Sequence, residues 1–355
     1  VNALEALGWN AGFARAFESL QAPGLRPARV LVGHAGLCDV AWEEGELLAD
    51  FAGRLRLREA GAVLPVVGDW VAIAPRPGEG RATVHHVLPR RSRFSRKVAG
   101  DHVEEQVVAA NVDTVFLVSG LDGDHNPRRL ERFLTLVRES GAEPVVLLNK
   151  ADLCDAVAQR RAEAEAVALG LPLFVIEAKH GRGLEPLEPW LQPGRTIALL
   201  GSSGVGKSTL ANRLLGVERQ KTRDVRESDD RGRHTTSARE LLRLPGGALL
   251  IDTPGMREIQ LWEADEGLGQ TFADVEEHAA GCRFRDCAHE QEPGCAVRAA
   301  VDSGALPAAR LASWVRLRKE LKSLSDRQDA YSRRQAERRW IPIHKSLRKA
   351  PKKRG

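Results

Sequence analysis

The 355-residue sequence predicts an α/β protein in three parts: a small β-barrel, a doubly wound domain around a parallel sheet, and a mostly helical metal-binding domain. Three observations predict it. Short β-like segments divided by Gly, Pro and charged residues run from about 25 to 95. Near-continuous apolar runs alternating with helical stretches follow from about 111, and three cysteines cluster with a histidine beyond 280. The length exceeds what one ordinary domain needs.

The chain opens on an amphipathic segment, LEALGWNAGFARAF, that breaks at Pro23 and Gly24, so residues 1–24 read as an extension. ARVLVGH, LCDVAW, FAGRLRL, PVVGDWVAI and ATVHHVL then read as strands. Over 25–95 they suit a barrel of the oligonucleotide-binding (OB) type, which binds RNA, although the spacing alone equally suits part of a β-sandwich.

Residues 100–265 hold the α/β domain. VDTVFLVSG, EPVVLLN, LPLFVI, TIALLG and ALLIDTPG are near-continuous apolar runs, as expected of parallel strands covered on both faces. Between the first two a helix is predicted, with Asn126 as cap, Pro127 at its first position, a stripe of Leu130, Phe133, Leu134 and Val137, and Gly141 as its stop.

The C-terminal part divides into the Cys/His domain, 266–332, with a helix over LASWVRLRKELKSL, and a tail, 333–355. The tail carries ten Lys or Arg against Glu337, so it holds +9 while the whole chain is +5. Such a tail suits a polyanion such as RNA and equally suits a solvated chain end. No apolar run reaches the eighteen or so residues of a membrane span, and VNALEALGWN lacks the pattern of a signal peptide, so a cytoplasmic protein without membrane contact is expected. Cys38 and Cys154 stand alone and read as small buried apolar residues.

Function is written in the loops that end the apolar strands. GSSGVGKST, Gly201, Ser202, Ser203, Gly204, Val205, Gly206, Lys207, Ser208 and Thr209, lies between a strand and an apolar helical segment. That is the context of a phosphate-binding loop: backbone N–H groups converge on phosphates, Lys207 reaches the β- and γ-phosphates, and the Ser208 hydroxyl serves Mg²⁺. DTPG follows at a strand tip, placing Asp252 toward the metal through water and the N–H of Gly255 toward the γ-phosphate.

NKAD, Asn149, Lys150, Ala151 and Asp152, names the base. Asp152 can accept from guanine N1–H and the 2-amino group, Asn149 can address the other edge, and the Lys150 stem can lie beside the ring. Adenine would leave the carboxylate unpaired, and such hydrogen bonds discriminate by factors on the order of 10⁴. Ala178 and Lys179, in EAKHGRGL, stand where a second base contact is expected, with Glu177 in place of the usual serine. The order base, base, phosphate, switch, switch is a circular permutation of the ordinary GTPase order, which preserves the spatial site if the old termini are joined. A circularly permuted P-loop GTPase domain is therefore expected, hydrolysing GTP to GDP and phosphate.

RESDDRGRHTTSARE has the composition of a switch, with Thr235 or Thr236 as a further Mg²⁺ ligand. Met256 follows DTPG where many GTPases place a water-orienting glutamine, and His234 is the nearest substitute, its position being also that of an ordinary loop histidine. Cys282, Cys287, His289 and Cys295 form C-x4-C-x-H-x5-C, a closed tetrahedral donor set for one structural Zn²⁺.

With PVVGDWV, RSRFSRK, the permuted NKAD, GSSGVGKST and DTPG, GRHTT and the Cys/His pattern in this order, the chain resembles the ribosome small-subunit-dependent GTPase A family of bacteria. The resemblance implies a late assembly factor of the small ribosomal subunit, stimulated by the subunit and released on hydrolysis; a monomer is expected. It implies rRNA contacts through the barrel and zinc domain, and a role in hydrolysis for His234. Met256 keeps a second reading open: an rRNA-binding module gated by nucleotide, in which hydrolysis is incidental.

Overall fold

A computed structural model describes residues 2–56, 63–97, 105–217, 239–252 and 265–326. Five strands, β1 (Arg26–Gly33), β2 (Leu37–Trp42), β3 (Gly45–Phe51), β4 (Trp70–Arg76) and β5 (Arg81–Val87), form the barrel. It runs β1-β2-β3-β5-β4 and closes by antiparallel pairing of β4 with β1, which removes every free edge and fits the OB type.

One strand assignment from sequence needs correction. FAGRLRL is not a strand, since after Phe51 it turns into a short helix, α2 (Gly53–Arg56). The third strand lies just upstream in GELLADF, where Leu47, Ala49 and Phe51 point inward with period two. Its hydrophobic face was masked in sequence by Glu46 and Asp50 on the other side.

The opening segment folds onto the barrel. A 3₁₀ turn at Glu5–Leu7 precedes α1 (Ala11–Glu18), which Asn10 caps by accepting from Gly12 N (2.9 Å) and Phe13 N (3.3 Å). Trp9 and Phe13 pack on the fully buried Trp70, with Leu4, Leu7, Ala41 and Leu88 around them. Trp70 belongs to PVVGDWV, whose other members join the barrel to the next domain. Gly68 has φ +86°, and a Cβ there would stand 2.2 Å from the Ala110 carbonyl oxygen. Asp69 accepts both arms of the Arg90 guanidinium, at 2.8 and 2.7 Å.

A hairpin, β6 (Arg93–Lys97) with β7 (Glu105–Ala110), leads into the α/β sheet. There β8 (Thr114–Gly120), β9 (Glu143–Asn149), β10 (Leu173–Val175), β11 (Thr196–Leu200) and β13 (Leu249–Asp252) are parallel, and β12 (Arg239–Arg243) is antiparallel. The order is β10-β9-β8-β11-β13-β12, so the phosphate-loop strand β11 lies between β8, which precedes it in sequence, and β13, which follows it. Pairing of β12 with β1 at Val32–Glu240 and Gly33–Arg239 continues this sheet into the barrel.

Helix α3 (Pro127–Ser140) forms as its signals predict: Asn126 accepts from Arg129 N (3.2 Å), and Gly141 ends it at φ +84°. With α4 (Val157–Ala168) it covers one face of the sheet, and α5 (Lys207–Leu215) with the 3₁₀ turns at Glu185–Trp190 covers the other. The C-terminal helices α6 (Asp265–Thr271), α7 (Ala273–Ala279), α8 (Ala296–Asp302) and α9 (308–326) extend the α3 core, so Trp314, Val297 and Cys287 share it with Leu134 and Val137. A buried ion pair, Arg310 Nη1 to Glu131 Oε1 at 2.7 Å, fastens α9 to α3. Cys38 is buried in the barrel, whereas Cys154 is only half-buried against the α3 core. Among the described residues no helix is long and apolar enough to cross a membrane.

Candidate functional site

The loops that carry the sequence motifs all leave the carboxyl ends of β9, β10, β11 and β13, where open α/β sheets hold their ligands. From β11, residues 201–206 turn into α5, whose first turn holds Lys207, Ser208 and Thr209. Gly204 and Gly206 take positive φ. Gly206 also passes so close to Asn149 that a Cβ would stand 2.3 Å from its amide nitrogen. Val205 is buried and pins the loop to the sheet. Lys207 Nζ donates to the carbonyls of Gly201 (2.7 Å) and Ser202, which holds the ammonium within the curve of the loop. Backbone amides, a helix N-terminus and a fixed cation thus converge on one spot, an arrangement suited to phosphate.

Asn149, at the tip of β9, is 3% exposed and both ends of its amide are engaged. Nδ2 donates to the Val205 carbonyl (2.8 Å) and Oδ1 accepts from Ala178 N (2.9 Å). Asn149, expected from sequence to address the base, ties the phosphate loop, the NKAD turn and the loop after β10 into one unit, while Asp152 stays exposed beside them.

Lys150 takes φ +66°, the left-handed turn that swings Ala151–Leu153 across the strand ends, and its ammonium lies 2.5 Å from Asp122 Oδ2. Although burial opposes ionisation of Asp122, the Lys150 contact and backbone N–H groups hold its carboxyl below the usual range. Ala178 is fully buried, and Lys179 is exposed, its carbonyl accepting from Arg213 Nη2 of α5 at 2.7 Å.

Two further groups had no motif to announce them. Arg129, in the first turn of α3, donates to Ser202 Oγ (2.5 Å) and Asp124 Oδ1 (2.6 Å), joining α3 to the phosphate loop. His180 lies against Glu177 and Asp152. Asp252 ends β13, next to the β11 strand that leads to Ser208. His234, Thr235, Thr236, Gly255 and Met256 lie outside the described residues.

The four predicted metal ligands come together. Cys282 Sγ lies 3.6 Å from His289 Nδ1 and 3.9 Å from Cys295 Sγ, and Cys295 Sγ lies 3.4 Å from His289 Nδ1. With Cys287 Sγ, all four donor atoms fall within 4.8 Å of one another. A tetrahedron with Zn–S near 2.3 Å has edges of about 3.8 Å between sulfurs and about 3.5 Å from sulfur to nitrogen, so the residues fit zinc. The sulfur separation is far beyond the roughly 2 Å of a disulfide.

Burial, reinforced by Arg318, lowers the His289 pKa and favours the neutral ligand form. Backbone N–H groups of Glu292 itself and of Ala288, Gln291 and Glu290 hold the Glu292 carboxyl at about 2. It therefore organises the turn as a carboxylate.

A family model described as RsgA GTPase matches residues 87–262. The chain is 49% identical to the small ribosomal subunit biogenesis GTPase RsgA of Opitutus terrae, over 97% of both chains. It is 47% identical to that of Syntrophotalea carbinolica, over 90% of both. Among solved structures, YjeQ from Thermotoga maritima superposes with a TM-score of 0.64 at 29% identity, over 84% of this chain and 98% of that one. YloQ, titled a circularly permuted GTPase, shares the fold with a TM-score of 0.60 at 23% identity, over 84% of this chain and 96% of its own. Phosphate loop, base loop and metal cluster in one permuted framework, at such identity over nearly the whole chain, establish that the chain belongs to the RsgA GTPase family.

Proposed function

We propose that this protein hydrolyses GTP while assisting assembly of the small ribosomal subunit, and that hydrolysis releases it from the subunit. The observation that carries the reading is the Asn149 amide, which locks the base-reading turn to the phosphate loop and so couples recognition of guanine to the phosphates. The names of the relatives supply the setting, biogenesis of the small subunit.

In this reading Asp152 accepts from guanine, with Lys150, Ala151, Ala178 and Lys179 around the base. Residues 201–209 hold the phosphates, and the N–H of Gly255 senses the γ-phosphate. Ser208, Asp252 and either Thr235 or Thr236 would hold Mg²⁺, which when bound neutralises charge on the phosphates. His234 orients or deprotonates the attacking water, since Met256 has no group that can. Cys282, Cys287, His289 and Cys295 hold one structural Zn²⁺. The protein acts as a cytoplasmic monomer, touching rRNA through the barrel and the zinc domain.

Sedimentation with purified small subunits tests the reading. Protein loaded with a non-hydrolysable GTP analogue should pellet with the subunits and GDP-loaded protein should stay in solution. Equal pelleting with both nucleotides contradicts it.

A further inference from the structure

Glu177 stands where the base loop of ordinary GTPases has a serine, and it brings a second carboxylate to the one that reads guanine. Oxygens of Glu177 and Asp152 and a ring nitrogen of His180 lie within 4.8 Å of one another. Two carboxylates this close repel, and repulsion would swing the exposed Asp152 away from the base.

His180 offsets it: Nδ1 stands 3.3 Å from Glu177 Oε2 and 3.9 Å from Asp152 Oδ2. Its place is set by the backbone, because the Glu177 carbonyl accepts from His180 N (3.0 Å) and Gly181 N (2.8 Å), while Glu177 N donates to the Arg182 carbonyl (3.0 Å). Arg213 of α5 clamps the same loop through the Lys179 carbonyl. Arg182 also reaches Glu177 Oε2, at 3.3 Å, but its side chain is 75% exposed and so well screened.

We propose that His180 is a positioning residue for guanine selectivity, its Nδ1 edge standing against both the Glu177 and Asp152 carboxylates and offsetting their repulsion so that the Asp152 carboxylate faces the base. It replaces in function the hydroxyl that a serine at 177 would offer. The inference rests on the reading of Asp152 as the guanine acceptor.

The test is the ratio of affinities for GDP and IDP, which lacks the 2-amino group that Asp152 would accept from, measured by displacement of a fluorescent nucleotide from the full-length protein. His180→Ala should lower the GDP preference about tenfold, the scale of one misaligned charged hydrogen bond. His180→Asn, which returns an N–H near the Nδ1 position, should restore most of it. Glu177→Gln placed on His180→Ala should also restore it by removing the repelling charge, a rescue that a merely structural histidine would not show. An unchanged ratio in His180→Ala, or no rescue by Glu177→Gln, overturns the proposal. Asp152→Asn serves as the control: if it leaves the ratio unchanged, the reading of Asp152 itself fails, whereas a change there with none in His180→Ala defeats only the role of His180.

Discussion

Arg29 sits in the middle of β1, 2% exposed, and among the described residues no carboxylate is hydrogen-bonded to it. It donates instead to the Leu7 carbonyl, the Gly68 carbonyl (3.3 Å), the Asn111 carbonyl (3.1 Å) and Thr196 Oγ1 (2.8 Å). Extension, barrel, connecting segment and the first residue of β11 thus meet on one guanidinium. Burial lowers its pKa to about 10, which still leaves it charged at neutral pH. Arg29→Met should cost about 3 kcal/mol, because four buried acceptors lose their donor together. The urea midpoint reads this, and an unmoved midpoint contradicts it. In sequence Arg29 looks like an outward-facing member of an alternating strand, and its burial is illegible because the elements that cover it are remote in the chain. The phosphate-loop motif and the Cys/His cluster are local in sequence, their residues being packed into nine and fourteen consecutive positions. Asn149 falls between: its presence was legible, but its partners at Val205 and Ala178 were not. At this scale His234→Ala should leave GTP affinity nearly unchanged and slow subunit-stimulated single turnover roughly 10²-fold, as loss of a water-orienting group does. An unchanged stimulated rate would assign His234 to the ordinary loop histidines.

Among the elements, α3 was the most legible, because cap, first-turn proline, apolar stripe and stop glycine are all local. What α3 does was not. Its first turn touches Ser202 of the phosphate loop through Arg129, and its flank holds the C-terminal helices through Glu131 and Arg310. The barrel strand β3 was missed for want of context, since three inward residues flanked and interrupted by Glu46 and Asp50 look like any mixed stretch until a barrel closes around them. The Cys/His cluster packs in the α3 core, with His289 4.9 Å from the Trp314 ring, whereas Val205, Leu210 and Ala211 of the phosphate loop and α5 belong to the core on the other face. Removing the metal with a chelator, or Cys287→Ser, should therefore lose helical ellipticity and alter Trp314 fluorescence while nucleotide affinity stays within about threefold. Metal analysis should find one zinc per chain. Retained ellipticity after complete metal removal would deny the site its structural role.

Across the whole molecule, one hydrogen-bonded sheet of eleven strands runs from β10 beside the base loop to the barrel. Within that sheet the two halves meet in two register pairs of β1 with β12, and β12 is the strand that directly follows the predicted switch. On the other side, α3 links the phosphate loop to the C-terminal helices around the Cys/His cluster. The nucleotide site therefore stands between two modules, one paired with the strand that follows the predicted switch and the other held to the helix that touches the phosphate loop. The order of domains was legible from composition and periodicity, but both attachments are contacts between segments far apart in sequence. A GTPase built this way should be slow alone, lacking a glutamine after DTPG, and fast when a partner holds both modules at once. The most direct test is GTP turnover with and without purified small ribosomal subunits at equal protein and nucleotide concentration. The account predicts slow turnover of the isolated protein and a rise of at least about tenfold with subunits; the same rate in both conditions would contradict it.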